Sequence, residues 1–205
     1  MDLGLKDRVA IVTGSARGIG AETARMLAAE GMAVVITDLD GDAAKETAQA
    51  IDTAGGRAIS TVCDVRKEAQ VKAMIEAGRE AFGRIDVLVN NAGLVKDRTL
   101  LKMDEADWDL VLDVTLKGAF HCCRAAIPHM QERKWGRIIN ITSRALFGNP
   151  GQANYSSAKA GLVGFTRAMS FEQAKNGITV NAIAPGYIQT QYIKSLPNYD
   201  VIKAN

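Results

Sequence analysis

The chain has 205 residues, of which 47% are hydrophobic and 23% are charged. This length and composition predict one soluble globular domain over residues 1–205. The formal net charge of +2 argues against nucleic acid as a partner, because binding to a phosphate backbone depends on concentrated positive charge.

Three cysteines, two of them adjacent at positions 122 and 123, give no disulfide framework and no CxxC pair. The two histidines, His121 and His129, lack a recognisable zinc spacing. No run approaches the roughly 18 apolar residues of a membrane span, and no signal peptide is recognisable at the start. We therefore expect a cytoplasmic protein in a reducing compartment, with neither a bound metal nor a membrane partner.

Short Val/Ile-rich runs alternate along the chain with longer segments rich in Ala, Glu, Lys and Leu. The short runs predict six strands, at 8–13, 33–37, 57–63, 85–89, 136–142 and 178–183. The longer segments predict helices at 18–30, 41–54, 67–82, 104–132 and 153–174. This alternation is typical of an α/β fold with a doubly wound, mostly parallel sheet, the Rossmann fold, whose ligand lies beyond the carboxyl ends of the strands. The Pro-, Asn- and Gln-containing segment 186–205 is a candidate mobile lid over a substrate.

The first predicted strand ends at Thr13 and is followed by three glycines, Gly14, Gly18 and Gly20, before a helix begins. Glycines at such a turn allow tight bending, close approach of backbone to a pyrophosphate, and close packing of helix on strand. The pattern therefore predicts a dinucleotide-binding turn. A plain glycine turn is the alternative, since 19 glycines make coincidental spacings common.

The second predicted strand ends at Thr37-Asp38, where the Asp38 carboxylate can accept hydrogen bonds from the adenosine ribose and repel a 2′-phosphate. Asp38 therefore favours NAD as the cofactor, while Arg17 is the nearby cation that would favour NADP. Asp38 could instead cap the helix over 41–54, a role that Asp40 could also fill.

Tyr155 and Lys159 are four residues apart, so a helix carries the phenol and the ammonium on one face. A nearby positive charge lowers a tyrosine pKa and prepares the phenol to exchange a proton with a substrate alcohol. Ser143 follows strand 136–142 on the ligand side of the sheet, where it could orient a substrate carbonyl or be an ordinary loop serine. A second Tyr-x-x-x-Lys match at 199–203 has no strand-end serine before it, and we interpret it as coincidence.

In combination, these motifs, the Asn90-Asn91-Ala92-Gly93 segment and Pro185-Gly186 resemble the short-chain dehydrogenase/reductase family from residue 5 to about 192. The resemblance implies that Tyr155 is the general acid/base, that Ser143 orients the carbonyl, and that Lys159 binds the nicotinamide ribose and lowers the tyrosine pKa. It also implies a set of cofactor-binding residues: Gly14, Ser15, Arg17, Gly18, Ile19, Gly20, Asp38, Leu39, Asp64, Val65, Asn91, Ala92, Gly93, Tyr155, Lys159, Pro185, Gly186 and Ile188.

The segments Lys96–Met103 and Gln152–Tyr155 are most similar to the 3-oxoacyl-acyl-carrier-protein reductase branch of that family. The resemblance thus implies hydride transfer between nicotinamide, NAD or NADP, and a secondary alcohol or ketone. The expected substrate is a small molecule or an acyl thioester such as a 3-oxoacyl or 3-hydroxyacyl thioester. The expected assembly is a homodimer or homotetramer.

Three features depart from the family pattern. Thr115 stands where the family has an asparagine that supports a proton relay, so Thr115 is a candidate catalytic residue. Ser143 precedes Tyr155 by twelve residues where thirteen is usual, which leaves Thr142 as the alternative. Family members also continue past this point to a last strand that covers strand 178–183, so we expect a longer native chain or a partner at that edge. A catalytically weak, nucleotide-binding regulator of the same fold is the competing function.

Overall fold

The computed structural model describes residues 2–195 of the chain. Its six strands form one parallel sheet in the order β3-β2-β1-β4-β5-β6. The strands are β1 (Val9–Thr13), β2 (Ala33–Asp38), β3 (Arg57–Val62), β4 (Val87–Asn90), β5 (Gly136–Ile141) and β6 (Ile178–Ile183). The predicted doubly wound α/β fold is confirmed, with all six predicted strands present.

The helices cover both faces of this sheet. They are α1 (Gly18–Ala29), α2 (Gly41–Thr53), α3 (Glu68–Phe82), α4 (Glu105–Leu112), α5 (Gly118–Glu132), α6 (Ala153–Gln173) and the short α7 (Gln191–Lys194). Side chains of α1 and α2 pack in the apolar core on one face, and those of α3, α5 and α6 pack on the other. Among the described helices, none is long and apolar enough to cross a membrane.

The helix predicted over 104–132 is present from Glu105 to Glu132, but its winding changes at residues 113–117. There the chain makes a wider π-helical turn, Asp113–Lys117, between α4 and α5. This turn carries Val114 and Thr115 into the interior. A π-helical turn inside an α-helix commonly marks a functional site.

The sheet explains why the Val/Ile runs were recognisable as strands. All five residues of β1 are buried, because β1 lies between β2 and β4 and has helices on both faces. The edge strand β3 has no fully buried residue, and Ile183 of the other edge strand, β6, is 53% exposed. Strand β6 is therefore the exposed edge strand at which we expected a further strand or a partner.

Buried amides tie the neighbouring strands β4 and β5 to α6. The Asn90 Nδ2 group donates to Asn140 Oδ1 over 2.8 Å, and Asn140 Nδ2 donates to Thr166 Oγ1 over 2.9 Å. Because unpaired polar groups are costly inside a protein, this chain of hydrogen bonds fixes how α6 sits on β4 and β5. The helix that carries Tyr155 and Lys159 is thus held in register with the sheet.

The first turn of α1 leaves no room for a side chain at residue 20. A Cβ on Gly20 would lie 2.6 Å from Asn91 Nδ2 and would overlap the carbonyl oxygen of Gly14. We expect Gly20→Ala to lower the free energy of unfolding by about 1–3 kcal/mol, because the surrounding backbone must move. Denaturant unfolding measures this change.

Gly164, exposed in the middle of α6, provides the matched control. Within the described part of the chain, a Cβ on Gly164 would have no neighbour within 4 Å. Gly164→Ala should therefore raise the free energy of unfolding by about 0.5–1 kcal/mol, the usual helix preference for alanine. Equal effects of the two substitutions would contradict the packing argument for Gly20.

Candidate active site

The glycine turn after β1 is joined to the segment after β4 by side-chain hydrogen bonds. The Asn91 amide donates to the carbonyl oxygens of Thr13 and Gly14, each over 2.9 Å. The Thr13 hydroxyl accepts the backbone N–H groups of Asn91 and Ala92, each over 3.0 Å. Gly14 and Gly18 have φ values of +62° and +60°, in the left-handed region that favours glycine. The two segments consequently form one rigid floor.

A cleft opens above this floor, at the carboxyl ends of β1, β2 and β4. Nine predicted cofactor residues line it: Gly14, Arg17, Asp38, Leu39, Asp64, Val65, Asn91, Ala92 and Gly93. Four further lining residues were not predicted: Ala16, Cys63, Leu94 and Val114. These four are small or apolar residues that belong to no recognisable motif, so the sequence carries no signal for them.

The remaining residues of the predicted glycine turn serve the turn itself. The Ser15 hydroxyl is buried, donating to the Val12 carbonyl over 2.6 Å and accepting the Thr37 N–H over 2.9 Å. Ile19 is half-buried in the first turn of α1, and Gly20 packs against Gly14. The Ser15 N–H also donates to the Thr37 carbonyl over 3.1 Å, so this fully buried residue supports the turn and is not free to face a ligand.

At the outer end of the cleft, the structure separates the roles of Asp38 and Asp40. The Asp40 carboxylate accepts the Ala43 N–H over 3.1 Å and so caps α2. The Asp38 carboxylate accepts the backbone N–H groups of Ala16, over 3.1 Å, and of Asp40, over 3.3 Å. Asp38 is therefore not the helix cap, and its carboxylate lines the cleft.

Arg17, the predicted alternative cation, pairs with Asp40. Its Nη2 atom lies 2.8 Å from Asp40 Oδ2. The hydrogen bond from the Ala43 N–H, followed by that from Arg17, holds the pKa of Asp40 below its usual value. Asp40 is thus a stable anion at neutral pH.

The segment after β3 closes the cleft on one side. Arg66 grips the Asp64 carboxylate in a bidentate pair, with Nη2 to Oδ2 at 2.7 Å, and this hydrogen bonding lowers the pKa of Asp64. His121 Nδ1 lies 3.0 Å from the Val65 carbonyl oxygen, so the proton of the ring is on Nδ1. Burial raises the pKa of the neighbouring Cys63 thiol to about 11, which keeps it protonated.

Tyr155 and Ser143 line a second pocket beside this cleft, together with Asp97, Gly186 and Ile188. Burial raises the pKa of the Tyr155 phenol above its usual value, although a hydrogen bond with the Ser143 hydroxyl acts in the opposite direction. Thr142 does not share this pocket. Its hydroxyl donates to the Lys159 carbonyl over 2.8 Å, and its side chain is buried.

Asn154, which the sequence analysis did not select, holds the start of α6. Its amide nitrogen donates to the Lys96 carbonyl over 3.1 Å, and its amide oxygen accepts the Tyr155 N–H over 2.7 Å. Asn154 is fully buried. An asparagine next to the helix start was the one available signal, because such residues commonly bond to local backbone.

Lys159 lies behind Tyr155 and is 3% exposed. Its Nζ atom donates to the Ile141 carbonyl over 2.7 Å and lies 5.4 Å from the centroid of the Tyr155 ring. Burial lowers the pKa of Lys159 to about 8. The expectation that Lys159 depresses the pKa of Tyr155 is not met in this geometry, since burial dominates at the phenol and the ammonium is directed at a backbone carbonyl.

Thr115 lies in the π-helical turn, close to Lys159. A Cβ on Gly93 would lie 3.4 Å from Lys159 Nζ and 3.6 Å from Thr115 Oγ1, so the two polar groups face the same small space. Thr115 is 2% exposed, and within the described residues its hydroxyl has no hydrogen-bond partner. A buried polar atom of this kind suits a bound water or ligand.

The segment after β6 runs back over the glycine turn. Pro185 accepts the Arg144 N–H over 3.0 Å, and the Thr190 methyl group would lie 3.7 Å from a Cβ on Gly18. Thr190 was not predicted as a site residue. Residues 196–205 of the predicted lid, with the second Tyr-x-x-x-Lys match, lie outside the described residues. Within residues 2–195, no cluster of three metal-ligating side chains occurs.

The family model for short chain dehydrogenases matches residues 8–199. The chain is 48% identical over 198 residues to the (2S)-[(R)-hydroxy(phenyl)methyl]succinyl-CoA dehydrogenase subunit BbsD of Thauera aromatica, covering 97% of this chain and 80% of the relative. It is also 48% identical over 194 residues to a 3-oxoacyl-[acyl-carrier-protein] reductase of Synechocystis sp., covering 94% and 78%.

A solved structure from Sinorhizobium meliloti, assigned to the short-chain alcohol dehydrogenases, superposes with a TM-score of 0.90 at 39% identity. The superposition covers 95% of this chain and 77% of the other. The chain therefore belongs to the short-chain dehydrogenase family and is an oxidoreductase that acts on an alcohol or ketone with a nicotinamide cofactor.

Proposed function

We propose that this oxidoreductase interconverts a 3-oxoacyl thioester and the corresponding 3-hydroxyacyl thioester, with Tyr155 as the proton donor and acceptor. The observation that carries the proposal is that Ser143 and Tyr155 share one pocket, with the Lys159 ammonium directly behind the phenol. Two relatives at 48% identity support the substrate class, since both their names specify an acyl group on coenzyme A or acyl carrier protein.

The described cleft fits a nicotinamide dinucleotide. The first N–H groups of α1, which begins at Gly18, have no partner within the helix and suit a pyrophosphate, and Asp38 offers a carboxylate to the adenosine ribose. The Thr115 hydroxyl, which has no partner among residues 2–195, and the Lys159 ammonium provide polar groups at the inner end. When bound, the nicotinamide supplies or accepts the hydride.

The chemical role of Tyr155 follows from its protonation state. A raised pKa keeps the phenol protonated at neutral pH, so it can donate its proton to the carbonyl oxygen of a ketone during reduction. Ser143 orients that oxygen by a hydrogen bond. In the oxidative direction, Tyr155 must first lose its proton, and the oxidation rate should therefore rise with pH above neutrality.

Thr115 and Lys159 support the return of the proton to Tyr155. Both side chains face the space over Gly93. A water in that space, hydrogen-bonded to the Lys159 ammonium and to the Thr115 hydroxyl, would connect the two groups. Thr115 thus assists proton return through its single hydroxyl.

The expected cytoplasmic location, the mobile lid and the homodimer or homotetramer remain predictions.

Substitution Tyr155→Phe tests the proton-transfer role. We expect kcat to fall by about 10²–10⁴-fold, because the ring still packs but carries no transferable proton. The Kd of NADH, measured by fluorescence titration, should change by less than about twofold, because that ring still fills its place. Ser157→Ala, an exposed change on the same helix, is the control. A loss of kcat below about tenfold would remove Tyr155 from this role. NADH binding by the wild-type protein without turnover would instead favour the nucleotide-binding regulator.

We expect NAD(H) to be preferred over NADP(H) by at least about tenfold in kcat/KM, since Asp38 repels a 2′-phosphate. Substitution Asp38→Asn should narrow this ratio because it removes the charge but keeps a polar side chain. Steady-state kinetics with both cofactors measure the ratio. An unchanged ratio in the variant would show that Asp38 does not contact the ribose.

The buried Lys159 ammonium makes stability depend on pH. Its folded-state pKa of about 8 lies below the unfolded value of 10.5, so between these values the unfolded state binds more protons. The free energy of unfolding should therefore rise with pH from about 8 towards 10 relative to that of Lys159→Met, which has no such group. Urea unfolding at pH 7, 8.5 and 9.5 measures the difference; a constant difference would contradict the lowered pKa.

A further inference from the structure

The Arg17–Asp40 pair lies at the rim of the cleft, beside Asp38. Among the described residues that line this cleft, Arg17 is the one cation. Its side chain is 74% exposed, and its guanidinium is 2.8 Å from the Asp40 carboxylate. A guanidinium that was free at this position could form two hydrogen bonds to a phosphate group.

Asp40 is held in place by contacts that do not involve Arg17. Its Oδ1 atom caps α2 through the Ala43 N–H, and its own N–H donates to Asp38 Oδ1 over 3.3 Å. The position of Asp40 is thus set by α2 and by Asp38, and the exposed Arg17 side chain forms an ion pair with the carboxylate at that position. The pair holds the guanidinium at the start of α2.

The charges at this rim sum to one negative charge. Asp38 and Asp40 contribute two carboxylates, and Arg17 contributes one positive charge. The 2′-phosphate of NADP(H) would meet this net negative charge at short range, where screening by salt is incomplete. The hydroxyl of NAD(H) carries no charge and avoids that repulsion.

We propose that Asp40 is a second determinant of cofactor choice, which disfavours NADP(H) by engaging Arg17. This inference rests on the proposed preference for NAD(H), and it separates the contribution of Asp40 from that of Asp38. Asp38 acts on the ribose directly. Asp40 acts through Arg17 and is therefore a positioning residue.

The variant Asp40→Asn removes the charge and keeps the cap, because asparagine caps helices as well as aspartate does. We expect it to tighten binding of NADPH and of 2′,5′-ADP by about threefold to tenfold, while the Kd of NADH changes by less than about twofold. Fluorescence titration measures the two dinucleotides, and calorimetry measures 2′,5′-ADP. Asp40→Ser, which also preserves a capping oxygen, serves if the asparagine variant fails to fold.

Two controls test the mechanism. The double variant Arg17→Met with Asp40→Asn should lose the gain in NADPH affinity, because the released guanidinium is absent. Asp42→Asn removes the same charge from an exposed site in the first turn of α2 and should leave both affinities unchanged. A gain that persists in the double variant, or that appears equally in Asp42→Asn, would overturn the role of Arg17.

The outcomes also distinguish this inference from the proposed function. If the wild-type protein prefers NADPH, the proposed cofactor preference fails and the role of Asp40 fails with it. If the wild type prefers NADH and Asp40→Asn leaves the NADPH affinity unchanged, only the role of Asp40 is refuted. Asp38 would then account for the preference alone.

Discussion

The site depends on the close contact between the glycine turn and the Asn91 segment. Strands β1 and β4 are neighbours in the sheet although three helices and two strands separate them in sequence. Strands β1 to β3 are added towards one edge of the sheet, and β4 to β6 are added towards the other edge. The carboxyl ends of β1 and β4 therefore leave a crevice between them. Asn91 closes the bottom of that crevice through two backbone carbonyls, and Gly20 admits no side chain there. The cofactor cleft opens directly above this floor.

Burial has opposite consequences for the two residues at the chemical end of the site. It raises the pKa of Tyr155 and lowers that of Lys159, so each is moved towards its neutral form. The phenol is thereby a proton donor at neutral pH, while the ammonium keeps its charge only below about pH 8. In the proposed mechanism, reduction of a ketone uses the protonated phenol, which is the state that burial favours. Oxidation requires the phenolate, which burial disfavours.

Much of the fold was predictable because its strands are buried on both faces and therefore consist of Val/Ile runs. The glycine turn was predictable because three glycines follow the first strand. The sequence could not decide between Asp38 and Asp40 as the cap of α2, because two carboxylates two residues apart have the same local chemistry. Only the fold shows that the Ala43 N–H meets Asp40.

Two other features depend on contacts between distant parts of the chain. The sequence at Asp113–Lys117 has no helix-breaking residue, so nothing in its composition signals a π-helical turn. The spacing of Tyr155 and Lys159 predicted that they would be neighbours, which is correct. It did not predict that the ammonium would donate to the Ile141 carbonyl, because that carbonyl comes from β5.

The charged groups at the outer end of the cleft bear on the choice of cofactor, whereas the charged group at the inner end bears on proton transfer in the proposed mechanism. At the outer end, the Arg17–Asp40 pair is exposed, so a change that keeps the Asp40 cap of α2 costs little stability and, in our proposal, alters which cofactor is accepted. At the inner end, Lys159 is buried and its charge is opposed by desolvation, so a change there alters folding and, in the proposed mechanism, proton transfer. Cofactor choice can therefore vary through rim residues while the Tyr155 and Lys159 geometry stays fixed. The same fold can serve either cofactor without rebuilding its catalytic pocket.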